Sequence, residues 1–97
     1  MCSQKLNLGS FKEIEEAPMY KINPQGLVYS IRSKRLLNPY MSKRGYLRLS
    51  LYVDKVKKTR DLHRVLGLAF IPNPNNYAML DHIDTNKKNN DLSNLRW

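Results

Sequence analysis

The sequence predicts an α+β fold: a small antiparallel β region plus one supporting helix. Three observations carry this. In "GYLRLSLYV", Leu47, Leu49, Leu51 and Val53 fall on one face of a strand and Tyr46, Arg48, Ser50 and Tyr52 on the other. In "LHRVLGLAF", Leu62, Val65, Leu66, Ala69 and Phe70 recur at helical spacing. Elsewhere short β-rich runs are separated by turn residues. A chain of 97 residues has room for one small domain with a thin stability margin.

Taken in order, Phe11 to Ile14 reads as a short strand, and Pro18 interrupts the next few residues. "MYKIN" is a second strand and "PQG" a turn, so "LVYSIR" pairs back onto Tyr20–Asn23 as a hairpin. After the long alternating strand, "DKVKK" is a polar connection and Lys58 to Leu62 a returning strand. Asp61 is placed to cap the helix, which Pro72 and Pro74 end. "AMLDHI" is a short strand, "DTNKKNND" a loop, "LSNL" a turn, and "NLRW" the start of a further strand.

The net charge is +9, and its distribution says more than its total. Arg32, Lys34, Arg35, Lys43, Arg44, Arg48, Lys55, Lys57, Lys58 and Arg60 lie together in the middle of the chain, with Asp54 as the acid among them. One segment therefore carries the positive field, which points to a polyanion such as nucleic acid. A solvated face is the alternative, although a mixed-sign surface would serve solubility as well. Tyr46 and Tyr52 interleave with Arg48, a pattern that suits either a nucleic-acid groove or the ordinary solvent face of a half-buried strand.

Cys2 is the single cysteine, which rules out an internal disulfide and a zinc site built on cysteine pairs. There is no apolar stretch of membrane-spanning length and no signal-peptide core. An intracellular, non-secreted protein with no membrane partner is expected.

The adjacent Asp81 and His82 are the candidates for chemistry. A carboxylate is a hard oxygen ligand for Mg²⁺, and histidine takes a proton near neutral pH. On a strand the two point to opposite faces, but at a strand's end both can approach one site, where metal-assisted phosphodiester hydrolysis becomes possible.

The surroundings sharpen this. "LHRVLGLAFIPNPNNYAMLDHIDTNKKNNDLSNLRW" resembles the HNH endonucleases of phages and mobile introns, with their "HRLVAxAFIPNP", "DHIDGNxxNN" and "NLxW" runs. "FKEIEEAPMYKINPQGLVYS" is similar to the modular DNA-binding motif that often precedes them, "YxVSNxGxVxS", with Tyr20, Ile22, Asn23, Gly26, Val28 and Ser30 in its places. The resemblance implies three regions: a modular motif over 1–36, a basic β-hairpin region over 37–60 and a partial HNH domain over 61–97.

It further implies an incomplete ββα-metal motif. His82 matches the general base, Asp81 the carboxylate that binds one Mg²⁺ or Mn²⁺ ion, and Asn94 the middle asparagine, which completes the catalytic set by bracing the loop around His82. Asn89 and Asn90 are expected to close turns, and His63 to support the site from the helix. The DNA-gripping residues are expected among Arg32, Lys34, Arg35, Lys43, Arg44, Tyr46, Arg48, Tyr52, Lys55, Lys57, Lys58 and Arg60. The family's third motif residue sits on a helix after the "NLxW" tryptophan, here Trp97, so the resemblance implies truncation within the motif. Thr85 stands where the family usually has glycine.

The implied protein is a monomeric HNH endonuclease of homing or nicking type, acting on double-stranded DNA in the cytoplasm or nucleoid of a bacterial or phage-infected host. A catalytically inactive DNA-binding remnant is the alternative. A small basic RNA-associated protein, stacking Tyr46 and Tyr52 on unpaired bases, is the reading from another class.

Overall fold

Turn chemistry sets the first sheet. In the computed structural model, which describes residues 10–97, Gly26 takes φ +87° in the "PQG" turn. Asn23 Oδ1 accepts the amides of Gln25 and Leu27 at 3.1 and 2.8 Å. The turn joins β2 (Ala17–Ile22) to β3 (Val28–Ser30), with Tyr20 opposite Ser30 and Ile22 opposite Val28. These residues share a buried face, so the positions that carry the resemblance to the modular motif are core and turn positions. β1 (Lys12–Ile14) and β4 (Arg35–Leu36) flank the pair in the order β1-β2-β3-β4. Cys2 and the start of the 1–36 region lie outside the described residues.

Pro18 does not interrupt this sheet. It lies within β2, exposed, where the β1–β2 register shifts between Glu13 and Ile14. A bulge is a place where a strand tolerates a residue with no N–H to give.

The second sheet is β5 (Tyr40–Met41), β6 (Leu47–Val53) and β7 (Val56–Asp61), with β6 in the middle. Leu49 and Leu51 are each 1% exposed, as the alternation requires. β7 begins earlier than the sequence suggested. Asp54 and Lys55 form a two-residue turn with φ 51° and 67°, the mirror-image turn whose twist matches that of the strands. The two sheets meet where the Tyr20 hydroxyl accepts the Tyr52 amide at 3.0 Å.

α1 (Leu62–Phe70) follows β7 directly and buries Leu62, Val65 and Leu66 against both sheets. Asp61 occupies the cap position but caps nothing with its side chain. Arg48 lies directly across the ladder from it, and Arg48 Nε is 3.0 Å from its carboxylate. That nitrogen is excluded from solvent, yet the angle is too bent for a hydrogen bond, so the contact is electrostatic.

The last sheet is β8 (Asp81–His82) paired with β9 (Leu95–Arg96), with a 3₁₀ turn over Leu92–Asn94. Gly67 lets this ribbon approach the helix. A Cβ there would stand 2.6 Å from Leu80 Cδ2 and 3.3 Å from the Trp97 ring. Trp97 folds back onto α1, its indole N–H donating to the Ile71 carbonyl at 3.0 Å. Leu80 and Leu95 join the same core as the first two sheets. No helix among the described residues is long and apolar enough to cross a membrane.

Candidate active site

The loop between β8 and β9 is built from side-chain acceptors. Short Asx side chains bond amides two residues on, and do so here at successive steps: Asp84 to Asn86 at 2.7 Å, Asn86 to Lys88 at 3.1 Å, Asn89 to Asp91 at 3.3 Å. Asn94 closes the loop. Its Oδ1 accepts the Asp84 amide at 3.0 Å, and its Nδ2 donates to Asp84 Oδ1 at 2.9 Å and to the Asn89 carbonyl at 2.8 Å. Asn94 is buried, and these bonds are partly shielded from water. Hydrogen bonds from Asn89, Asn86 and Asn94, in that order of strength, hold the Asp84 carboxyl below its ordinary range; the nearby His82 adds to this.

His82 is half-buried at the root of this loop. Asn90 does not close a turn as expected. Its Oδ1 lies 2.7 Å from His82 Nε2. An amide oxygen only accepts, so this contact is a hydrogen bond in the tautomer that carries the proton on Nε2. His82 Nδ1 makes no hydrogen bond among the described residues. The ring leans on His63 of α1, centroids 4.6 Å apart, and Tyr46 stacks on His63 at 5.2 Å and 22°. Tyr46 also lies 5.9 Å from His82. Burial pushes the His63 imidazole below its ordinary value of 6.5, and His82 and Arg64 push the same way against Asp61. His63 is therefore held toward its neutral form.

The β8–β9 register places Asp81 opposite Arg96 and His82 opposite Leu95. Asp81 is exposed and His82 half-buried. The Asp81 side chain makes no hydrogen bond or ion pair among the described residues. Those residues contain no group of three or more His, Cys, Asp or Glu placed to hold a metal. Mg²⁺ commonly takes one or two carboxylates and completes its shell with water and phosphate oxygens, and Asp81 fits the requirement for one such carboxylate.

The basic residues do not share one face. Direct cross-strand pairs put Tyr52 with Lys57 and Arg48 with Asp61 on the outer face of the second sheet. Lys58 pairs with Leu51 and Arg60 with Leu49, on the core side. Arg60 is spent on Glu16 at 2.9 Å, and Arg48 on Asp61. Arg32, Lys34, Arg35, Lys43, Arg44, Lys55 and Lys57 are exposed. Tyr46 lies against the two histidines.

The chain is 39% identical over 84 residues to an uncharacterised HNH endonuclease of Acanthamoeba polyphaga mimivirus, covering 87% of this chain and 26% of that one. It is 37% identical over 92 residues to the H-N-H endonuclease F-TflII of Escherichia phage T5, covering 93% and 48%. To the DNA endonuclease I-HmuI of Bacillus phage SP01 it is 37% identical over 78 residues, covering 80% and 45%. A solved structure of DNA binding and cleavage by the HNH homing endonuclease I-HmuI superposes with a TM-score of 0.83 at 35% identity, over 90% of this chain and 51% of that one.

The chain is similar in sequence and in fold to these HNH endonucleases. No family model matches it. It spans about half or less of the length of these relatives. Sequence reasoning missed Asp84, the hub of the loop; the signal was a carboxylate two residues before an asparagine in a turn-rich run. It also missed Lys87, whose ammonium lies 4.7 Å over the Tyr46 ring.

Proposed function

We propose that this chain carries the catalytic centre of an HNH-type endonuclease that hydrolyses DNA phosphodiester bonds, with His82 as general base. One observation carries the reading: His82 Nε2 lies 2.7 Å from Asn90 Oδ1, and in the tautomer that donates there the lone pair of the neutral ring sits on Nδ1. Nδ1 takes a proton from water as the oxygen attacks phosphorus. Asp81 is the carboxylate that would hold one divalent ion, Mg²⁺ or Mn²⁺, which would neutralise charge on the phosphate and on the oxygen that leaves as the P–O bond breaks. Asn94 fixes the loop that carries Asn90, and His63 backs the His82 ring.

In this reading residues 1–36 form the modular DNA-binding motif, 37–60 a basic hairpin region and 61–97 the nuclease region. Double-stranded DNA lies against the exposed cations, and a monomer suffices. The test is relaxation of supercoiled plasmid with and without Mg²⁺ or Mn²⁺. Metal-dependent nicking is expected, reduced about 10²- to 10⁴-fold in His82→Ala. An undiminished rate in that variant overturns the mechanism.

A second reading, a DNA-binding remnant without catalysis, is favoured by the described residues holding no group of three or more His, Cys, Asp or Glu that could bind a metal. It expects no nicking but salt-sensitive binding. With roughly five phosphate contacts the log–log salt slope is about −4 to −5.

A further inference from the structure

The loop between β8 and β9 is almost self-contained. Among the described residues, its side-chain hydrogen bonds stay within residues 82–94, with one exception at Lys87. Lys87 Nζ donates to the Arg44 carbonyl at 2.9 Å, 43 positions away in sequence. Its stem passes over Gly45, where a Cβ would lie 3.6 Å from Lys87 Cδ. Its ammonium lies over the Tyr46 ring, and that ring is stacked on His63 and tilted against His82. The turn beneath is itself fixed: Gly45 donates to the Ser42 carbonyl at 3.0 Å, and Tyr46 to Ser42 Oγ at 3.2 Å.

We propose that Lys87 and Tyr46 form a positioning clamp that ties the turn Ser42–Gly45 to the loop carrying Asn90, and so holds the His82 ring in one orientation. Neither residue touches the reacting atoms. The functional part of this inference rests on the reading of His82 as the base. The turn presents two exposed cations, Lys43 and Arg44, so a phosphate gripped there bears on the same backbone that Lys87 holds. DNA binding and the aim of His82 are thereby coupled through one side chain. Lys87 is exposed, and a cation over a ring at such a site contributes modestly to stability, so its removal leaves the protein folded.

The experiment compares the full chain with its Lys87→Met, Lys87→Arg, Tyr46→Leu and Tyr46→Phe variants, by plasmid nicking and by ¹⁵N NMR of the His82 ring. Lys87→Met is expected to lower kcat about tenfold with KM nearly unchanged, because small misplacements of a catalytic group are costly. Lys87→Arg keeps the cation and is expected to retain the rate, and Tyr46→Phe keeps the ring and is expected to retain the single His82 signal. The double variant Lys87→Met/Tyr46→Leu should lose less than the sum of the two single losses, since the two share the cation–ring contact.

In the NMR arm the intact chain should give one His82 tautomer, protonated at Nε2, and Lys87→Met should give exchange-averaged signals. This arm needs no cleavage. A chain that never nicks but shows the tautomer change refutes the assignment of His82 as base and supports the clamp. A raised KM with unchanged kcat in Lys87→Met makes Lys87 a phosphate contact and overturns the proposal. So does an unchanged His82 signal.

Discussion

The β6–β7–α1 region and the β8–β9 loop fix their backbones by opposite means. In the first, Leu49, Leu51, Val65 and Leu66 are almost wholly buried, and non-directional apolar packing decides position. In the second, Leu80 and Leu95 anchor the two ends, and the span between them is set by Asp84, Asn86, Asn89 and Asn94 bonding to backbone. Packing tolerates similar shapes. A directional hydrogen-bond set places one ring nitrogen against one acceptor, which a catalytic base requires.

The largest break in this contrast should come from Leu66→Ala. Leu66 is 0% exposed, and the loss should be about 2–5 kcal/mol in urea unfolding, with the sheets and the loop melting together. Asn94→Ala should cost about 1–3 kcal/mol, because it leaves the Asp84 amide and the Asn89 carbonyl without this partner and removes one of the hydrogen bonds on the Asp84 carboxylate. Hydrogen exchange should then speed up across residues 84–91 and stay slow across Leu49–Leu66; uniform acceleration would mean that the loop is not a separate unit.

Thr85→Gly works in the other direction. Thr85 is β-branched and holds φ 63°, so glycine should stabilise the loop by up to about 1 kcal/mol, read as a raised melting temperature. The finest probe is pH. The folded pKa of His63 lies below its unfolded value of 6.5. The unfolded chain thus binds the proton first, and stability should be complete above 6.5 and fall as pH drops through the folded value. His63→Phe should flatten that part of the melting curve against pH.

The apolar half was readable because its signals are periodic. Alternation at Leu47–Val53 and helical spacing at Leu62–Phe70 survive folding unchanged, and "PQG" closes the hairpin that its residues demand. The polar half was readable in type and not in partnership. Asn90 meets His82 because of the path the loop takes across eight residues, which no local pattern encodes. Asp61 looks like a helix cap, and Arg48 claims it because the β6–β7 register sets them opposite each other. Tyr46 reads as a solvent-face residue of an alternating strand. It becomes part of the histidine stack because α1 starts immediately after β7 and brings His63 beneath it. The two-residue strands β4 and β5 have no signature of their own; their neighbours make them.

The Tyr20 hydroxyl that accepts the Tyr52 amide has a consequence for behaviour at high concentration. β5 covers β6 only at Leu47 and Arg48, so the far half of β6 would otherwise offer bare amides along an open rim. Such a rim is where another molecule adds a strand, and then another, until the protein polymerises. The phenol oxygen fills the place that an incoming carbonyl would need at Tyr52. One side chain from the first sheet thereby leaves that rim one amide fewer to offer a second molecule.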